Sequence, residues 1–254
     1  MLLHCGKEDG AAAERAMPAG CWLRAGTLDS LTELNELGLA LLAEQSAVPG
    51  GVASGLLQPL AELWRALDGA ARRRAAACPY LLLDAGFGDP ARWRTPPAAA
   101  QVGDVATERY LRYFSVPTAT EVARLVFIYA WHLSRSQPAA ARLLLGMPAA
   151  SIALISRYTL WQIQALAESH PEWLRPRWPA RVQVWRELLL AAASADAMSL
   201  ERARLRGLTL LAAEARLAAA SRAPSSVCRL PPTAAQPSDQ GCGPSSKVLT
   251  GPRG

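Results

Sequence analysis

The sequence predicts an all-α protein, an orthogonal bundle of about seven to nine helices, and three observations predict it. Apolar residues recur at three- and four-residue steps in one segment after another. Ser/Thr-x-x-Glu/Gln capping boxes occur at Ser30–Glu33, Thr118–Glu121 and Thr159–Gln162. Proline and glycine punctuate the intervals between the periodic segments.

Residues 1–20 lack periodicity and read as a loose lead. Over 21–97 a helical hairpin is expected. Its first helix starts at the Ser30 box, carries Leu31, Leu34, Leu37 and Leu41 on one face, and ends at Pro49-Gly50-Gly51. Its second carries Leu56, Leu60, Leu63, Trp64 and Leu67 and runs out through Arg72, Arg73 and Arg74, basic charges suited to a helix C-terminus. The apolar run Cys78–Leu83 then meets Gly86-x-Gly88. That pattern suits a strand entering a phosphate-cradling loop, or a buried segment ending in a plain turn; without a third glycine or a P-loop lysine, the turn is the expectation. Pro96-Pro97-Ala98-Ala99-Ala100 reads as a linker.

A C-terminal helical domain is expected over 104–222. It opens with helix from Val105 to Phe114, broken at Pro117. The Thr118 box then starts the most hydrophobic helix, with Val122, Leu125, Val126, Tyr129 and Leu133 on one face. Pro138 suits the first turn of the next helix, and Gly146-Met147-Pro148 turns the chain. Ala149 to Arg157, a tight turn and the helix capped at Thr159 make a helix-turn-helix-like segment, 149–169. Helices over Ala180–Ala193 and Ser199–Ser221 complete the domain. Residues 223–254 are rich in Pro, Ser, Gly and Gln and are expected to be disordered.

Composition excludes several classes. At 51% hydrophobic and 19% charged, the chain is not wholly disordered. The longest apolar run, Leu125–Trp131, is far shorter than the roughly 20 residues of a membrane helix. Charges within Met1–Asp9 occupy the place of a secretory core, so a cytoplasmic location is expected. The 5 cysteines have no CxxC spacing and only 3 histidines accompany them, so no metal site and no cofactor are expected. The net charge is +6, and all but two of the 27 basic residues, Lys7 and Lys247, are arginines. That balance permits contact with nucleic acid or acidic proteins without requiring either.

No nucleophile elbow, zinc-protease motif or paired histidine appears, so no catalytic residue is assigned and the chain is not expected to be an enzyme. Asp84 and Asp89 are read as turn-formers and His132 as an ordinary helix residue. The residues expected to meet a partner are Trp161, Gln162 and Ala165 on the Thr159-capped helix, with Trp173, Arg175, Arg177, Trp178 and Trp185 in the cluster after it. Aromatics interleaved with arginine make interface hot spots, stacking platforms, or plain helix-end packing. A weaker DNA-facing set is Arg157, Gln162 and Gln164, because Gln can pair with adenine. The same helix lacks any Lys or Arg to neutralise phosphate, so DNA contact is expected to be indirect at most.

Phe127 to Ser169 resembles, without a gap, the D subunit of the bacterial flagellar master activator (FlhD). Leu145-Gly146-Met147 looks like the family's Leu-Gly-Ile turn. Thr159-Leu160-x-Gln162 followed by Leu166-Ala167-Glu168 looks like its Thr-Leu-x-Gln…Leu-Ala-Glu helix. The similarity covers about a sixth of the chain. It implies an all-helical, dimer-forming bacterial regulatory subunit that assembles with a second, zinc-containing subunit and helps RNA polymerase at promoters, dimerising through Trp131 or Leu143. Leu174 stands where the family has an inter-subunit cysteine, and Trp161 where it commonly has proline. The function expected is a helical interaction protein of this regulatory kind, with another protein subunit as partner and a homodimer as a further form. The alternative is an accessory component of a secretion or other multiprotein assembly with no DNA contact.

Overall fold

Gly26 decides where the first helix begins. The computed structural model describes residues 23–24, 26–47, 55–94, 113–114 and 116–220. Gly26 adopts a left-handed conformation (φ 83°) and α1 spans Thr27–Ser46. Ser30 therefore lies inside the helix and does not cap it, a correction to the expected start. The reason is tertiary: the buried Gln137 amide accepts from Arg24 N at 2.8 Å and donates to Thr27 Oγ1 at 3.0 Å. Tyr129 adds a bond from its hydroxyl to Thr27 O at 2.9 Å. These contacts pin the chain ahead of the local box.

The second expected helix is three pieces: a 3-10 turn at Gln58–Leu60, α2 (Ala61–Arg65) and α3 (Gly69–Ala76). Asp68 makes the break. Its carboxylate accepts from Ala71 N at 2.6 Å, capping α3 and stopping α2 short. Both short helices pack on α1, so the hairpin arrangement is retained in outline.

Helix α4 (Val116–Ser136) is the central element and packs against α1, α5, α6 and α7. Pro117 is not a break; it occupies the helix's first turn, where its missing N–H costs nothing. Thr118 is accordingly inside α4 and is not its cap. Pro138 separates α4 from α5 (Pro138–Leu145), and Gly146 (φ 69°) ends α5 as expected. Helices α6 (Ala149–Ile155) and α7 (Leu160–Ser169) follow, the latter with the reciprocal Thr159–Gln162 capping box in place. Then come α8 (Val182–Ser194) and α9 (Ala197–Ala220).

The apolar run after Cys78 does contain a strand, though a minimal one. Strand β1 (Leu83–Asp84) pairs antiparallel with β2 (Arg175–Pro176), and Gly38 on α1 lets Leu83 approach closely. One buried cluster runs from Leu31 through Trp64, Phe87, Phe127 and Trp185 to Leu211. The described parts of 21–97 and 104–222 thus share one buried core. The lead at 1–20, the links at 49–51 and 96–100, most of the helix expected over 105–114, and the tail at 223–254 lie outside the described residues. Among the described residues no helix is long and apolar enough to cross a membrane.

Candidate functional site

Arg177 organises the region where the β1 segment, the end of α5 and the start of α8 meet. The residue is 4% exposed. Arg177 Nε donates to Leu81 O at 2.8 Å and Nη2 to Leu145 O at 3.0 Å, while its backbone N donates to Leu82 O at 2.8 Å. Trp185 Nε1 donates to Arg177 O at 2.8 Å. One arginine thereby ties three distant segments together by satisfying carbonyls that no helix or sheet ladder serves. Burial lowers its pKa, opposed by Asp84 and by Glu214, whose carboxylate is 4.0 Å away.

The adjoining loop is held by two aspartates. Asp84 Oδ1 accepts from the amides of Gly86 and Phe87, and Oδ2 takes both Nε and Nη2 of Arg175 at 3.1 and 2.9 Å. Asp89 Oδ1 accepts from Ala91 N at 2.9 Å. Both carboxylates are turn-formers, as the sequence suggested. The Gly86 amide is spent on Asp84, which leaves the Gly-x-Gly loop one amide fewer for a phosphate. Gly86 itself is favoured by its backbone, whose φ of 72° lies in the left-handed region that side chains rarely adopt.

Burial raises the Asp84 pKa, but the charges of Arg177 and Arg175 with its hydrogen bonds outweigh it, leaving the carboxyl below its ordinary value. A depressed folded pKa contributes stability that is complete above the unfolded pKa of about 3.9 and disappears as pH falls through the folded value. Urea melts of Asp84→Asn are expected to show lower stability than wild type at neutral pH, with the gap closing below about pH 4.

The predicted partner residues divide sharply. Trp185 and Trp178 are buried along with Arg177, so these three do not form a surface. Trp185 packs on Trp64 with centroids 5.8 Å apart, and Trp178 on Tyr80 at 5.6 Å. Half-buried Trp173 belongs to an aromatic cluster with Trp93 and Phe127 and is stacked by His170 at 4.4 Å. Arg175 is committed to Asp84. The cluster is helix-end packing, because planar guanidinium and indole groups bury well only where their N–H donors find acceptors.

Helix α7 carries the exposed part of the set. Trp161 is 76% exposed, with Leu160 exposed beside it and Ala165 half-buried on the same outward face. Across the α4 seam, Leu125 is 48% exposed and Arg124 bridges to Glu168 at 3.0 Å. Gln162 is not available to a partner through its carbonyl, which accepts from Thr159 N at 2.8 Å in the capping box. Arg157 is exposed and Gln164 half-buried, but α6 and α7 each pack more on α4 than on one another. His132 is exposed on α4. Trp131 donates from Nε1 to Tyr158 O at 2.7 Å under the Arg135 guanidinium, whereas Leu143 is 52% exposed.

No family model, curated protein or solved structure matches the chain. The resemblance of residues 127–169 to the FlhD family stands on the quoted residues alone.

Asn35 was missed by sequence reasoning although it is fully buried. Its Nδ2 donates to Ala76 O and Tyr80 O at 3.0 and 2.9 Å, and its Oδ1 accepts from Leu82 N at 2.7 Å. The available signal was its register, four residues from both Leu31 and Leu39 on the core face of α1. Among the described residues Cys78 is the only cysteine; it is buried, and burial pushes its thiol up to about 11.

Proposed function

We propose that this chain is a helical interaction protein, a cytoplasmic subunit that works by contact with another protein and not by catalysis. The observation that carries the reading is Trp161. Among the described residues it is the one tryptophan left largely in water, on a well-capped helix. Leu160 is exposed beside it in the chain, and Leu125 is exposed on α4, the helix α7 packs against. A large indole on a rigid helix supplies contact area at little entropy cost, the usual character of an interface anchor. The form of this reading that the resemblance implies is a FlhD-like regulatory subunit.

A second reading, an accessory component of a larger assembly without DNA contact, is favoured by one observation. Helix α7 bears no Lys or Arg, and the Gln162 carbonyl is engaged in its own cap. A DNA titration whose log-affinity slope against log salt is near zero supports the accessory form; a steep negative slope supports the regulatory one.

Trp161→Ala tests the shared core of both. Its melt is expected to stay within about 0.5 kcal/mol of wild type, because the side chain is exposed. Recovery of a stoichiometric partner with the tagged full chain from its own cells is expected to fall about tenfold or more. Equal recovery, or no stoichiometric partner with wild type, overturns the proposal.

A further inference from the structure

A cleft of about 1080 Å³ opens between the 84–92 loop, the α5–α6 corner, the 175–179 segment and the last turns of α9. Four arginines line it: Arg92, Arg142, Arg175 and Arg177. Their states differ. Arg175 is neutralised by Asp84 at 2.9 Å, and Arg177 forms part of the floor with Nη2 and Nε already bonded to carbonyls. Arg92 and Arg142 have no ion pair among the described residues.

Arg92 is nevertheless held in place. Its guanidinium lies 5.5 Å over the Trp173 ring, and its outer side chain passes close to the bare face of Gly86. Beside these charges the lining is apolar at Leu143, Met147 and Pro148 and at the alanines of α9. Three carboxylates also line the cleft, and all are engaged: Asp84 and Asp89 in their turns, Glu214 by Trp178 Nε1 at 2.6 Å. Trp178 keeps a positive φ of 51° at this spot, a strained backbone that costs about 1 kcal/mol for a non-glycine residue.

We infer that this cleft receives an acidic, partly apolar peptide segment of a partner protein, its carboxylates meeting Arg92 and Arg142 and its apolar side chains the Leu143–Pro148 wall. The inference rests on the reading of the chain as an interaction subunit and adds a second surface, distinct from the Trp161 face. Charge decides between a peptide and a polyphosphate backbone. The lining sets four arginines against three carboxylates, and Asp89 and Glu214 interrupt the basic side chains, so separated carboxylates fit better than a continuous run of phosphates. A lone inorganic anion leaves the apolar wall and most of the volume unused.

Selection of displayed random dodecapeptides on the immobilised full chain tests this. Enriched sequences are expected to combine Asp or Glu with apolar residues, and a synthetic peptide from that pool is expected to lose about tenfold in affinity when its carboxylates are changed to amides. The double variant Arg92→Gln, Arg142→Gln is expected to bind the same peptide at least as weakly while remaining folded, with a melt lowered only by the lost Arg92–Trp173 contact. Trp161→Ala, by contrast, is expected to bind it normally. Failure to enrich acidic peptides, equal binding of the amide peptide, or displacement by inorganic phosphate alone at constant ionic strength overturns the inference. Loss of the cellular partner in Trp161→Ala with peptide capture intact separates this surface from the function proposed above.

Discussion

Replacing Asn35 with leucine is expected to destabilise the protein by about 3–5 kcal/mol, read as a fall in the urea midpoint at constant slope. The side chain would still fit the apolar interior of α1, so volume is not the cause. Three backbone groups of the 76–82 segment, Ala76 O, Tyr80 O and Leu82 N, would lose their partner in a place without water. Each orphaned buried group costs about 1–3 kcal/mol, and the leucine's own transfer gain offsets only part of the total. Asn35→Asp discriminates further, because it restores the acceptor for Leu82 N but turns two donors into a charged oxygen facing two carbonyls. It is expected to be at least as destabilising as leucine near neutral pH, and to recover partly in acid as the carboxyl protonates. Equal stability of wild type and Asn35→Leu would mean that the 76–82 segment finds its bonds elsewhere.

What the sequence disclosed follows from how local each signal is. Helix α7 was legible because Thr159 and Gln162 satisfy each other's donors three residues apart, with nothing else needed. The ends of α5 were legible for the same reason, since Pro138 and Gly146 act through their own backbones. The Ser30 box failed because the amide of Gln137, more than a hundred residues away, holds the chain at Arg24 and Thr27 and starts α1 earlier. Asp68-Gly69 was a readable cap overlooked inside a longer leucine pattern. At the candidate site the residue types were found and their roles mostly were not. Trp178, Trp185 and Arg177 look like surface chemistry in one dimension, because the carbonyls and rings that bury them come from residues 64 to 145. Exposure of Trp161, by contrast, follows from its place on the outward face of a helix whose inward face is Ile163, Leu166 and Ala167.

Arg177→Met is expected to be the more damaging of the two largest substitutions where charge is concerned, costing about 3–5 kcal/mol near neutral pH. Methionine matches the stem in length while the guanidinium, which lies 5.8 Å over the Trp178 ring, is lost. Leu81 O and Leu145 O then lack donors, and Asp84 and Glu214 lose a cation that compensates them. The second effect makes the penalty depend on pH. Loss of Arg177 raises the Asp84 pKa from its depressed value, so part of the deficit is expected to be regained as the solution is acidified through that carboxyl's titration. Arg177→Lys separates the two contributions. It keeps the positive charge opposite Asp84 and Glu214 but cannot reproduce a fork that reaches two carbonyls on different segments, so it is expected to restore the pH profile while recovering less than half of the lost stability. A lysine variant as stable as wild type would show that charge alone holds the β1 segment to the end of α5; a methionine variant with a flat pH dependence would show that Arg175 by itself governs Asp84.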